Sequence, residues 1–215
     1  GTGAHIVGAG PTKVGYTFAG WTTNADGTGT TYQPNASLTP STNVSLFAKW
    51  TAASRTVTYA LDGGTSTATT TQLTGKVVGN TITLPASNTM SKTGYSFAGW
   101  NTLANGTGSD YVGGQNFLMT DSNMTMYAKW TSNPYTLTYN ANLGSGTPTA
   151  ETRNAGSTAN LSSTVPTRTG YTFNGWNTLQ NGSGTSYNSS ASYTMPTTNS
   201  TLYAQWTANS NAVAY

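Results

Sequence analysis

Five carboxylates (Asp26, Asp62, Asp110, Asp121 and Glu151) and one imidazole (His5) are the side chains of this 215-residue sequence suited to acid–base work near neutral pH. The chain has no cysteine, which excludes thiolate chemistry and disulfides. General acid–base hydrolysis needs carboxylates held as a pair, and no such pair recurs in the sequence. A triad or a zinc site on His5 would need partners, and His5 lies in a Gly-rich segment that supplies few. No catalytic residue, metal ligand or cofactor-binding residue is assigned, no cofactor is implied, and the chain does not read as an enzyme.

Other residue groups do recur. Asp26-Gly27-Thr28-Gly29 has the look of a calcium loop, but Asp26 is replaced by Asn105 and Asn181 in matching segments, and calcium sites want several carboxylates. The segments Ala25–Gly29, Ala104–Gly108 and Gln180–Gly184 read instead as turns, with Asp-Gly and Asn-Gly signalling type I′. A basic residue, Lys13, Lys92 or Arg168, stands at the third place of another recurring turn and reads as a solvated cation, with a ligand contact as the alternative reading. Tyr32, Tyr111 and Tyr187 follow the Gly-rich turns at a fixed distance. They are expected to close the loop onto the core. They are also the binding candidates for a glycan, whose rings stack on aromatic faces.

All of these groups are positioned by a threefold repeat. Gly15-Tyr16-Thr17-Phe18-Ala19-Gly20-Trp21, Gly94-Tyr95-Ser96-Phe97-Ala98-Gly99-Trp100 and Gly170-Tyr171-Thr172-Phe173-Asn174-Gly175-Trp176 are copies of one motif. A second tryptophan follows each, Trp50, Trp130 or Trp206, at 29 or 30 positions, so the pattern uses all six tryptophans. Self-similarity of this kind decides the architecture. Period-2 alternation makes each motif a buried strand, and the glycine before the tryptophan predicts a bulge or a close backbone approach. Leu46–Trp50, Met126–Trp130 and Leu202–Trp206 read as closing strands, with Leu or Met, Ala and Trp inward. On their other face, Lys49 or Lys129 is placed over an aromatic two residues before it.

Thr56–Tyr59, Thr136–Tyr139 and Ala212–Tyr215 read as opening strands, each seven positions beyond a closing tryptophan when measured to Val57, Leu137 and Val213. A short joint of constant length fixes neighbouring repeats more tightly than a flexible linker. Upstream of the first motif, Ile6-Val7 is the strand-like pair. The phase follows: 1–50 is the rear part of a repeat, 55–130 and 135–206 are complete repeats, and 208–215 is the first strand of a further one. Because the chain ends in mid-repeat, head-to-tail donation of that strand into another molecule is one expectation, giving self-association into a filament.

Charged residues are only 6% of the chain, against roughly 25% in typical soluble domains. Aromatics at 11% in regular places argue for folded modules rather than disorder. A net charge of +3 is too small to point to nucleic acid, and no apolar run approaches the ~20 residues of a bilayer span.

The combination of Pro-Thr-Arg-Thr-Gly-Tyr-Thr-Phe-Asn-Gly-Trp (166–176), Asn-Gly-Ser-Gly-Thr-Ser-Tyr (181–187) and Leu-Tyr-Ala-Gln-Trp (202–206) resembles the Listeria–Bacteroides repeat, the internalin B-repeat module. The resemblance implies tandem β-grasp-like modules of about 80 residues, mainly β or small α+β, in bacterial surface and secreted proteins. It implies an extracellular stalk or adhesin segment whose partner is a host or neighbouring-cell surface, glycan or protein. It carries no fixed set of functional residues. On this reading the motif tryptophan holds its module together. Trp100→Ala is expected to cost about 3–5 kcal/mol and to unfold its repeat, as chemical denaturation would show.

Overall fold

The computed structural model describes residues 4–6, 8–68 and 71–210. They form a nearly all-β structure in two compact units. The first comprises Gly1–Asp62, Ser66–Met90 and Gly99–Lys129; the second comprises Gly63–Thr65, Ser91–Ala98 and Trp130–Tyr215. In chain order the first repeat contributes β1 (Ala4–His5), β2 (Tyr16–Thr22), β3 (Thr31–Tyr32), β4 (Ser37–Leu38) and β5 (Phe47–Ala52). The middle repeat contributes β6 (Arg55–Ala60), β7 (Thr65–Ser66), β8 (Gln72–Lys76), β9 (Thr81–Thr83), β10 (Met90–Ser91), β11 (Tyr95–Asn101), β12 (Asp110–Tyr111), β13 (Asn116–Leu118) and β14 (Met124–Ser132). The last contributes β15 (Pro134–Asn140), β16 (Glu151–Asn154), β17 (Thr158–Asn160), β18 (Tyr171–Asn177), β19 (Ser186–Tyr187), β20 (Ser192–Thr194) and β21 (Ser200–Ala208). The α+β alternative is reduced to a single 3₁₀ turn among the described residues, Ser87–Thr89.

The second unit shows the repeat whole. Its sheet has the order β16-β15-β21-β18-β19 and is mixed. The opening strand β15 and the closing strand β21 are parallel neighbours, Leu137 opposite Ser200 through Asn140 opposite Tyr203. Parallel neighbours cannot be joined by a tight hairpin, so the chain between them crosses over. The β17–β20 ribbon formed on that route shares a core with the sheet. Leu161, Tyr193 and Met195 come from the ribbon and its ends, and Leu137, Tyr139, Trp176, Leu202 and Ala204 from the sheet. In the first unit, β14 runs parallel to β6 in the same way, Met124 opposite Val57 through Tyr127 opposite Ala60. There Val57, Ile82, Leu84, Trp100, Phe117 and Met126 fill the equivalent core.

The predicted bulge is present. In both β2 and β18 the register against the closing strand slips between the motif phenylalanine and glycine. Gly20, Gly99 and Gly175 have φ of 115°, 123° and 118°. A Cβ on them would lie 2.6–2.7 Å from the carbonyl oxygen of Tyr32, Tyr111 or Tyr187. The bulge turns Trp100 and Trp176 fully inward.

Three expectations are modified, and one lies outside the described residues. The Gly-rich turns are not type I′, which requires positive φ at both central residues. The N–H of Gly106 instead donates to the carbonyl of Leu103 at 3.0 Å, and only the glycine, at φ 74°, is left-handed. Asn105 Oδ1 accepts from the N–H and the hydroxyl of Thr107 at 3.1 and 2.8 Å, so an Asx turn shapes the loop. Lys49 and Lys129 do not sit on aromatic rings but reach Thr31 Oγ1 and Asp110 at 3.2 and 2.7 Å. The N-terminal strand is Ala4–His5, with Ile6 buried after it, while Val7 lies outside the described residues. The predicted strand Ala212–Tyr215 also lies outside them.

The bulge glycine is testable. Gly175→Ala puts a methyl group against a backbone carbonyl at a φ that L residues rarely adopt. It should destabilise the last repeat by about 1–3 kcal/mol, measured by denaturant titration, whereas Gly146→Ala has open space and should cost less.

Candidate functional site

Each motif builds the same short strip of aromatic side chains with a cation at one end. The turn before the motif strand brings the basic residue back over the tyrosine three positions on: the N–H of Tyr16, Tyr95 and Tyr171 donates to the carbonyl of Lys13, Lys92 and Arg168 at 3.0, 3.0 and 3.1 Å. Lys13 Nζ then lies 4.1 Å from the Tyr16 ring centre and Lys92 Nζ 4.8 Å from that of Tyr95. The Arg168 guanidinium carbon lies 3.7 Å from the Tyr171 ring centre. Edge-on beneath follow Phe18 and Trp50, Phe97 and Trp130, and Phe173 and Trp206, with ring centres 5.4–5.8 Å apart. These basic residues are therefore not plain solvated cations. Their sequence signal was their constant place three residues before the motif tyrosine.

The binding candidates Tyr32, Tyr111 and Tyr187 lie elsewhere. Each is half-buried on a two-residue strand opposite the motif tryptophan: Tyr32 faces Trp21, Tyr111 faces Trp100 and Tyr187 faces Trp176. Tyr111 packs 6.0 Å from Phe117 and Tyr187 packs 5.2 Å from Tyr193, ring centre to ring centre. Their backbone carbonyls cover the bulge glycines. The rings of Tyr111 and Tyr187 thus pack against buried aromatics of their own repeats.

A second feature escaped the sequence reading. The residue after the motif tryptophan is Asn101 or Asn177, fully buried, with Thr22 in the first repeat. Asn177 Nδ2 donates to the carbonyls of Gly182 and Gly184, both at 3.1 Å, and to Ser186 Oγ at 3.0 Å. Its Oδ1 accepts from the N–H groups of Leu179 and Gly184 at 2.8 and 3.0 Å. Asn101 holds its loop in the same way and adds a bond to Asp110 at 2.5 Å. A buried amide is tolerated only when its bonds are made, so this residue fixes the Gly-rich turn from inside. The signal was the polar residue at the end of an otherwise apolar motif.

The carboxylates are tied to structure. Hydrogen bonds from Lys129 and then Asn101 hold Asp110 below the usual carboxylate range. Arg55, and then the backbone of Gly15, do the same for Asp121. Asp26 is lowered by its bonds from Thr28, first from the hydroxyl. Glu151 accepts from Tyr139 Oη at 2.7 Å and pairs with Arg153 at 2.9 Å. Among the described residues no group of three or more potential ligands is placed to hold a metal, and no helix is long and apolar enough to cross a membrane.

The three copies of this arrangement match the family model of the Listeria-Bacteroides repeat domain at residues 4–49, 56–129 and 135–205. The chain belongs to the Listeria-Bacteroides repeat family. Its relatives include two Evansella cellulosilytica proteins. One, described as a Gly-rich membrane protein, is 37% identical over 144 residues, 64% of this chain and 17% of that protein. The other, described as a membrane protein, is 34% identical over 207 residues, 93% of this chain and 29% of that protein. Internalin H of Listeria monocytogenes is 33% identical over 145 residues, 65% of this chain and 24% of that protein. The chain thus spans less than a third of the length of these relatives.

Two measurements follow. Asn177→Ala leaves buried donors and acceptors without partners and should cost the last Listeria-Bacteroides repeat at least about 2 kcal/mol, against little change for Asn188→Ala on the exposed loop. Burial first, helped by the bond to Glu151, pushes the Tyr139 hydroxyl from 10.0 up to about 12. A raised pKa means that the fold favours the neutral phenol, so its contribution is present below pH 10 and is lost as pH rises towards 12. Thermal melts should therefore fall over that window, and less steeply for Tyr139→Phe.

Proposed function

We propose that this chain is an extracellular, cell-surface repeat segment of a bacterial protein, a stalk of β-grasp-like modules that bears tension and presents adhesive surfaces. The observation that carries the proposal is the parallel pairing of opening and closing strands. The chain enters the last repeat at the start of β15 and leaves it at the end of β21, and these strands are hydrogen-bonded neighbours pointing the same way. Tension along the chain pulls them past each other, loading the ladder's bonds together rather than one after another. The middle repeat pairs β6 with β14 in the same sense.

The joints support this reading, because they leave little slack. Only Asn133 separates β14 from β15. Its N–H donates to the carbonyl of Gly94 at 2.8 Å and its carbonyl accepts from Ala155 at 2.9 Å. At the preceding joint the N–H of Ala53 donates to the carbonyl of Gly15 at 2.8 Å, and Arg55 pairs with Asp121 at 2.5 Å. A weakly charged surface of hydroxyls and amides suits a segment that works outside the cell without long-range repulsion, as does the family's presence in proteins described as membrane proteins and an internalin.

Single-molecule extension of the chain should release the complete repeats in separate, discrete steps of about 25 nm of contour length. A smooth extension at low force would contradict the reading.

A further inference from the structure

The aromatic strip is not equivalent in all repeats, and in the last one it opens into a groove of about 740 Å³. Leu143, Arg168, Tyr171, Phe173 and Trp206 line it, with the paired residues Ser145 and Thr167 on its polar side. We infer that this groove is a binding site for an acidic glycan, a sugar ring carrying a carboxylate, with Arg168 as the carboxylate anchor and the Leu143, Tyr171 and Trp206 side chains as the walls.

Three differences between sibling repeats coincide here. Where the middle repeat has Asp62, Gly63 and Lys92, the last has Asn142, Leu143 and Arg168. Gly63 has a φ of 75°, and Leu143 keeps the same left-handed backbone at 74°. For a leucine this conformation is an outlier that costs conformational energy which glycine does not pay. Leu143 gains no burial in return, being 81% exposed at the lip of the groove. An exposed apolar residue held at a strained φ points to a function rather than to folding.

The change from Asp to Asn removes a carboxylate from this loop and fixes its shape. Asn142 Nδ2 donates to the carbonyls of Ala204 and Gln180 at 2.9 and 3.1 Å, bonds that a carboxylate could not donate. The change from Lys to Arg supplies a planar fork of donors suited to a carboxylate. Arg55, Lys129 and Arg153 are engaged by carboxylates in ion pairs, whereas the side chain of Arg168 meets an aromatic ring and no carboxylate among the described residues. Its guanidinium is steadied by the ring of Tyr171, which is itself 37% exposed.

The occupant follows from what the groove lacks as well. Ser145 and Thr167 exchange both backbone bonds with each other, at 2.9 and 2.8 Å. The polar side of the groove therefore offers no free ladder for an added peptide strand. It offers hydroxyls beside aromatic rings and one guanidinium, the groups that take sugar hydroxyls, ring faces and a carboxylate. This inference stands apart from the stalk reading, which concerns tension along the chain and not the groove.

The test uses the whole chain, with galacturonic acid trimer, its methyl ester and a Glu-rich peptide as probes, followed by calorimetry and by the amide and indole N–H resonances. The acid trimer should shift residues 143–145, 167–169 and the Trp206 indole, and the ester should bind at least about tenfold more weakly. Arg168→Gln should lose at least about tenfold in affinity with its melting temperature nearly unchanged. Leu143→Gly should weaken binding while melting no lower than the parent, because it restores the residue found in the middle repeat. No shifts with the trimer, equal binding by the ester, indifference to Arg168→Gln or Leu143→Gly, or equal binding by the peptide would each overturn the assignment.

Discussion

Everything in this repeat depends on one close approach, the contact of a bulge glycine with the carbonyl of the tyrosine on the next short strand. Gly99 and Gly175 leave no room for a Cβ under Tyr111 and Tyr187. That proximity lets the strand slip by one residue, which turns the tryptophan from the period of Tyr and Phe into the core. The buried asparagine that follows then bonds the Gly-rich turn from within. A single steric allowance thus links the core, the loop and the aromatic strip. The strip remains on the outer half of the same strand because its Tyr-x-Phe alternation is undisturbed before the bulge.

The second constraint is topological. The repeat closes by laying its last strand beside its first, in parallel, so the chain's entry and exit strands share a hydrogen-bond ladder. Low charge is compatible with this because the modules are held by apolar burial and backbone bonds. Of the ion pairs, Arg153–Glu151 lies along one strand, Lys129–Asp110 joins two strands, and Arg55–Asp121 ties the opening strand of the middle repeat to the loop before its closing strand.

Much of this was legible in the sequence, for physical reasons that can be named. The repeat, the motif strand and the bulge were readable because glycine before tryptophan, three times over, has few other uses. The short joint was readable from its constant spacing. The parallel pairing was not, since alternation reports which face a residue takes but not which strand lies beside it. The Asn-Gly signal misled about turn type: an Asx bond from Asn105 to Thr107 stabilises a turn with only the glycine left-handed. The cation over Tyr95 was missed because Lys92 was read as solvated, although a turn of three residues brings the two together. In the groove of the last repeat, Leu143 was invisible as a signal until its backbone conformation was known.

The central claim, that each module resists tension through its parallel terminal strands, predicts that strength depends on direction. The direct measurement is to pull the last repeat through attachment points at Asn133 and Asn209, and separately at Asn133 and Ala155, across the antiparallel β15–β16 pair. The first geometry shears the ladder and should require a markedly higher force than the second, which peels strands apart bond by bond. Equal forces in the two directions would contradict the account.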